Sequence, residues 1–124
     1  MRVLVIEPEL RPEVREIDGS LKSMQEVVGG WIQALFPFDE PLALVCNDEG
    51  RLLGLPANRG LRDEAGQIYD IVCGTFFICG APADSDHFTS LTPEQIERYL
   101  ERFYTPEMFW GVNGRIVCLP MEIE

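Results

Sequence analysis

The chain has 124 residues, a length that fits one domain with a single sizeable core. It carries 21 acidic against 10 basic residues, a net charge of −11, and every base except Lys22 is an arginine. That balance opposes direct binding to nucleic acid, where affinity comes from cations that displace counterions; a hydrophobic share of 46% opposes disorder.

The first segment, MRVLVIEPEL, holds an apolar run too short for a signal peptide and is followed by acids, so the cytoplasm is the expected compartment. No stretch approaches the ~20 apolar residues of a membrane span. The β-branched run RVLVI (2–6) predicts a first strand, and VREI (14–17), which alternates apolar and charged, predicts a second paired to it as a hairpin. Ser20 reads as a helix N-cap, with Leu21, Met24 and Val28 at helical spacing and Gly29-Gly30 as the stop. WIQALFPF (31–38) favours a strand, although Ala34 and Leu35 leave a continued helix open; Pro37 marks its edge or its end. LALVC (42–46) has the character of a buried strand.

Asn47-Asp48-Glu49-Gly50 suits a type I turn whose glycine takes a left-handed bulge position, with Arg51–Leu53 returning antiparallel. Gly54, Pro56 and Gly60 then break regularity, which predicts an irregular loop over 54–67; loops of that length are often functional. IYDIV (68–72) and TFFIC (75–79) predict two strands, or one long strand bulged at Gly74. GAPADSDHF (80–88) is a polar loop. Thr92-Pro93-Glu94-Gln95 is a capping-box signature, followed by the apolar face Ile96, Tyr99, Leu100 and Phe103. Thr105-Pro106-Glu107 predicts a second short helical turn carrying Met108, Phe109 and Trp110, then Asn113-Gly114 a turn and RIVCL (115–119) the last strand. The order does not alternate strand and helix. It predicts an α+β domain over 1–124, with a mostly antiparallel sheet of about five to seven strands, able to curve strongly, and two or three short helices.

Chemistry is sparsely signalled. Neither phosphate-cradling glycine loop is present, and no serine sits in a nucleophile elbow. The four cysteines, Cys46, Cys73, Cys79 and Cys118, lack zinc-ligand spacing and read as small buried hydrophobes. Asp84, Asp86 and His87 could converge on a divalent cation, but a solvated loop explains them better. Asp63, Glu64 and Asp70 could pair for acid–base work, but Asp63-Glu64-Ala65-Gly66 is also an ordinary turn. No catalytic residue, metal or cofactor is expected from these patterns. The best candidates for a binding site are Asn58, Arg59 and Arg62, since forked guanidinium donors in an irregular loop suit an anionic or nucleobase-bearing ligand, with Trp31 or Tyr69 as a stacking face.

The words VGGWI, NDEGRLLGLPANR and DIVCGT, within MRVLVIEPELRPEVREIDGSLKSMQEVVGGWIQALFPF and its continuation, resemble the family of domain of unknown function 3846 over nearly the whole chain. The resemblance implies a small cytosolic protein of a bacterial host, of the kind carried by phages, plasmids and conjugative elements, and it brings no enzymatic activity and no catalytic set. Together these readings predict a non-enzymatic binding protein that counters host defence by holding a small anionic or nucleotide ligand at residues 54–62. The alternative is an acidic inhibitor of a host protein that mimics DNA. An exposed Trp31 or Trp110 would also permit a homodimer.

Overall fold

A computed structural model describes residues 1–121. Nine strands and two helices are found among them, and every strand pairing is antiparallel. The expected hairpin of β1 (Arg2–Ile6) and β2 (Glu13–Glu16) opens the chain. Helix α1 (Leu21–Val28) follows, capped by the Ser20 side chain, which accepts the Ser23 N–H, and closed by Gly29 at φ 78°. After β3 (Ile32–Leu35) and β4 (Leu42–Asn47) come β5 (Ala57–Arg62), β6 (Ile68–Cys73) and β7 (Phe76–Gly80). Helix α2 (Pro93–Arg102) has the complete Thr92–Gln95 capping box. β8 (Glu107–Val112) and β9 (Arg115–Pro120) end the described chain.

The strands form three sheets rather than one strongly curved one. A five-stranded sheet in the order β2-β1-β7-β4-β3 is the centre, with two-stranded sheets β5-β6 and β8-β9 beside it. Register sorts the central side chains onto two faces. Leu4, Ile78 and Leu44 stand in one row and belong to a core completed by Leu61 and Val72 of the β5-β6 sheet and by Tyr99 and Phe103 at α2. Val5, Phe77 and Val45 form the next row and face the opposite way, against Met24 and Val28 of α1. Helix, sheet, and helix-plus-hairpin therefore make three layers, with β1, β4 and β7 buried on both sides. The exposed edge strand β2 carries Glu13, Arg15 and Glu16, and the other edge, β3, is only four residues long; both features discourage unwanted strand pairing.

Several expectations are corrected. For IYDIV and TFFIC the two-strand reading holds, in different sheets with Gly74 between them, and the single bulged strand does not. Arg51–Leu53 is not a strand; the Leu53 N–H reaches back to the Glu49 carbonyl at 2.9 Å and the Leu55 N–H to Gly50 at 2.9 Å, coiling the segment on itself. The 54–67 segment is not an irregular loop but β5 and a tight turn. Residues 107–112 are a strand and not a helical turn, because Asn113 (φ 52°) and Gly114 (φ 76°) form a two-residue hairpin turn that pairs all of β8 with β9. No helix among the described residues is long and apolar enough to cross a membrane.

Candidate functional site

Asn58 and Arg59, expected to meet a ligand, are fully buried instead. Register slips between Ala57 and Arg59, so Asn58 is an extra residue in β5. Such a bulge lets two successive side chains turn inward, where a regular strand would send one out. The Asn58 amide donates to the Ile6 carbonyl at 2.8 Å and the Gly74 carbonyl at 2.9 Å, and its Oδ1 accepts from Arg59 at 2.8 Å. Arg59 commits its remaining donors to the carbonyls of Phe103, Leu10 and Asn58. Phe103 is the C-cap of α2, so the guanidinium sits where a helix terminus favours a cation. Burial lowers the Arg59 pKa to about 10, against an opposing pull from Glu107, so it stays charged at neutral pH. The donors of both residues therefore meet the chain's own carbonyls rather than an incoming anion.

Arg62 is partly exposed, but it is held by Glu107 through paired contacts of 3.1 and 2.7 Å. The three predicted site residues thus lie on one strand without opening onto one site. Asp63 caps its own turn by accepting from the Ala65 and Gln67 N–H groups, while Asp70 is drawn to Arg51, so the carboxylates considered for acid–base work do not converge. Asp86 and His87 are highly exposed, 3.5 Å apart, and no metal-ligating group of three or more is found among the described residues.

A better-enclosed recess lies beside residues 46–52, ahead of β5. Asn47 anchors it: its buried amide donates to the Val28 carbonyl at 3.1 Å, and its Oδ1 accepts the Glu49 N–H at 2.8 Å. The Asp48 N–H donates to the Trp31 carbonyl at 2.8 Å. Gly50 is required for a reason other than handedness. Its φ is not left-handed; a Cβ there would lie 2.6 Å from the Cys73 carbonyl oxygen. The coiled segment therefore packs directly against the end of β6.

The result is a cleft of about 260 Å³ whose walls include Gln33, Cys46, Asp48, Glu49, Arg51 and Asp70. Arg51 donates to Asp70 Oδ1 at 2.6 Å and to the Ile71 carbonyl at 3.2 Å. The cleft is thus lined by three acidic residues and by one arginine whose guanidinium is already paired. The buried Cys46 thiol is pushed up to about 11, by desolvation first and then by the charges of Asp70 and Asp48, so it stays protonated at neutral pH. Leu52, on the cleft wall, is 85% exposed, and Leu53 after it 59%. By sequence pattern alone, Asp48, Glu49 and Arg51 belong to a turn and a returning strand. The available signal was the adjacent pair Leu52-Leu53, two large apolar residues in a turn that offers them no core.

No curated protein and no solved structure matches the chain. The family model described as "Domain of unknown function (DUF3846)" matches residues 1–104, a span that contains the whole cleft, and the chain belongs to that family.

Proposed function

We propose that the protein acts by binding and not by catalysis, and that the cleft beside Asp48, Glu49 and Asp70 receives a cationic group of a partner protein. The observation that carries this reading is the charge of the cleft: three carboxylates against the single, already paired Arg51. A phosphate or carboxylate ligand would have to displace Asp70 from Arg51 and would meet Asp48 and Glu49 at close range. A lysine or arginine side chain meets complementary charge at once. The leucines at the tip add apolar contact of the kind that anchors interfaces. A net charge of −11 favours approach by a basic partner over a wide front. This favours a small acidic inhibitor of a basic protein over a holder of a small anion at 54–62.

The test is titration of a labelled arginine-rich peptide against three forms of the full chain. Asp48→Asn with Glu49→Gln is expected to weaken binding about tenfold, or about 1.4 kcal/mol. Glu94→Gln with Glu97→Gln, an equal charge change on the exposed side of α2, is expected to leave it within about twofold. Equal losses in both double variants would show diffuse attraction and overturn the assignment to the cleft.

A further inference from the structure

Arg51 stands between the acidic cleft and a second space. On the far side lies a second hollow of about 340 Å³ between β6 and the β8-β9 hairpin, and Arg51, Ile71 and Cys73 line both spaces. The other walls of the second hollow include Ala57, Phe109, Gly111 and Ile116, all without charge. Gly111 and Ile116 are direct partners in the hairpin register, so they share a face. A Cβ built on Gly111 meets nothing within 4 Å, so the missing side chain keeps the hollow open without being needed for packing. Ile116 is 63% exposed, a large apolar surface left facing solvent.

The hairpin also differs in charge from the rest of the molecule. Within β8 and β9 the charged residues are Glu107, which is engaged by Arg62, and Arg115, so this part of a strongly acidic chain has no net charge. An acidic space and a neutral apolar space thus share one wall. The acidic half lies inside the span matched by the family model, while the hairpin that completes the apolar half begins beyond it.

We infer that the two spaces form one groove for an extended segment of a partner protein, with a basic side chain at Asp48 and Glu49 and a large apolar side chain beside Gly111 and Ile116. This rests on the cationic-group reading above and adds the second determinant of the partner. A small cation would leave the apolar half empty, and a purely apolar segment would leave the carboxylates unmet. The β8-β9 hairpin then selects among basic partners, because it adds apolar contact that charge alone cannot supply.

The test uses a displayed library of random peptides of about a dozen residues, selected on the full chain. Selected peptides are expected to carry Arg or Lys and, a few positions away, Trp, Phe, Leu or Ile. A synthesised winner is expected to weaken about tenfold on Asp48→Asn with Glu49→Gln, and about tenfold on Gly111→Val, which narrows the hollow. Ile116→Ala, which removes exposed surface, gives the second reading of the same hollow. Replacing the peptide's apolar residue by Ala should abolish the effect of Gly111→Val and leave that of the acidic variants intact. Loss on the acidic variants with no loss on Gly111→Val or Ile116→Ala would overturn the groove and leave the cationic cleft standing. Insensitivity to every variant would overturn both.

Discussion

Arg59 heads the fully buried side chains in size, although arginine seldom reaches a protein interior. Its charge is tolerated because its donors meet the carbonyls of Leu10, Asn58 and Phe103 and the Asn58 side-chain oxygen. Truncation would strand several of these buried acceptors together, so Arg59→Ala is expected to lower stability by about 3–5 kcal/mol in urea denaturation. Arg59→Lys should recover little of this, since an ammonium cannot span the same fork of acceptors. A loss below about 1 kcal/mol for Arg59→Ala would mean that water replaces the guanidinium at little cost. Gly50 gives a second residue-scale prediction. At a left-handed position Asn would be tolerated and Ala disfavoured. Here the obstacle is the Cys73 carbonyl, so Gly50→Ala and Gly50→Asn should both destabilise, by about 1–3 kcal/mol each, because the clash meets backbone that cannot rotate away. Recovery of stability with Asn alone would restore the left-handed reading.

Glu107 ties the β8-β9 hairpin to β5. That carboxylate accepts hydrogen bonds from the Gly60 N–H at 3.3 Å, from Arg62 and from the Cys118 thiol. Burial alone would raise its pKa, but hydrogen bonds from Arg62 and Cys118, together with the Arg62 charge, bring it below the ordinary 4.5. A depressed carboxylate pKa stabilises above the unfolded value and loses that contribution as pH falls through the folded value. The hairpin should therefore loosen as pH drops below 4.5. In a Trp31→Phe background, where Trp110 is the only tryptophan, its emission is expected to shift red over that range. Glu107→Gln should show the shifted emission already at neutral pH, and an unchanged acid transition in that variant would sink the assignment. The same elements show what the sequence made legible. The α2 capping box, the β1-β2 hairpin and the α1 stop were readable because each rests on residues a few positions apart. β5 is not, because Asn58 and Arg59 find most of their partners far along the chain: Ile6, Leu10 and Phe103 lie 44 to 52 residues away, and Gly74 lies 16. β8 was misread because Thr-Pro-Glu imitates a helix start, while Asn113-Gly114 needs a strand on both sides. In the site, Asp48 and Glu49 could be seen, but the approach of Asp70 across 19 residues to Arg51 could not.

At the scale of the whole molecule, the groove reading divides the work between a long-range and a short-range force. Net charge acts at a distance and is screened over about 10 Å at 0.1 M salt and about 3 Å at 1 M. Apolar contact beside Gly111 and Ile116 acts only after docking and does not weaken with salt in that way. Association and dissociation should therefore respond differently to ionic strength. For a peptide carrying both determinants, the association rate is expected to fall at least about tenfold between 0.05 and 0.5 M salt, while the dissociation rate changes by less than about threefold. Asp48→Asn with Glu49→Gln should flatten the salt dependence of association, and Gly111→Val should raise the dissociation rate at every salt concentration. Surface plasmon resonance with the full chain immobilised measures both rates together. If salt moved the dissociation rate as strongly as the association rate, the complex would be held by charge alone. The hairpin would then be no part of the binding surface.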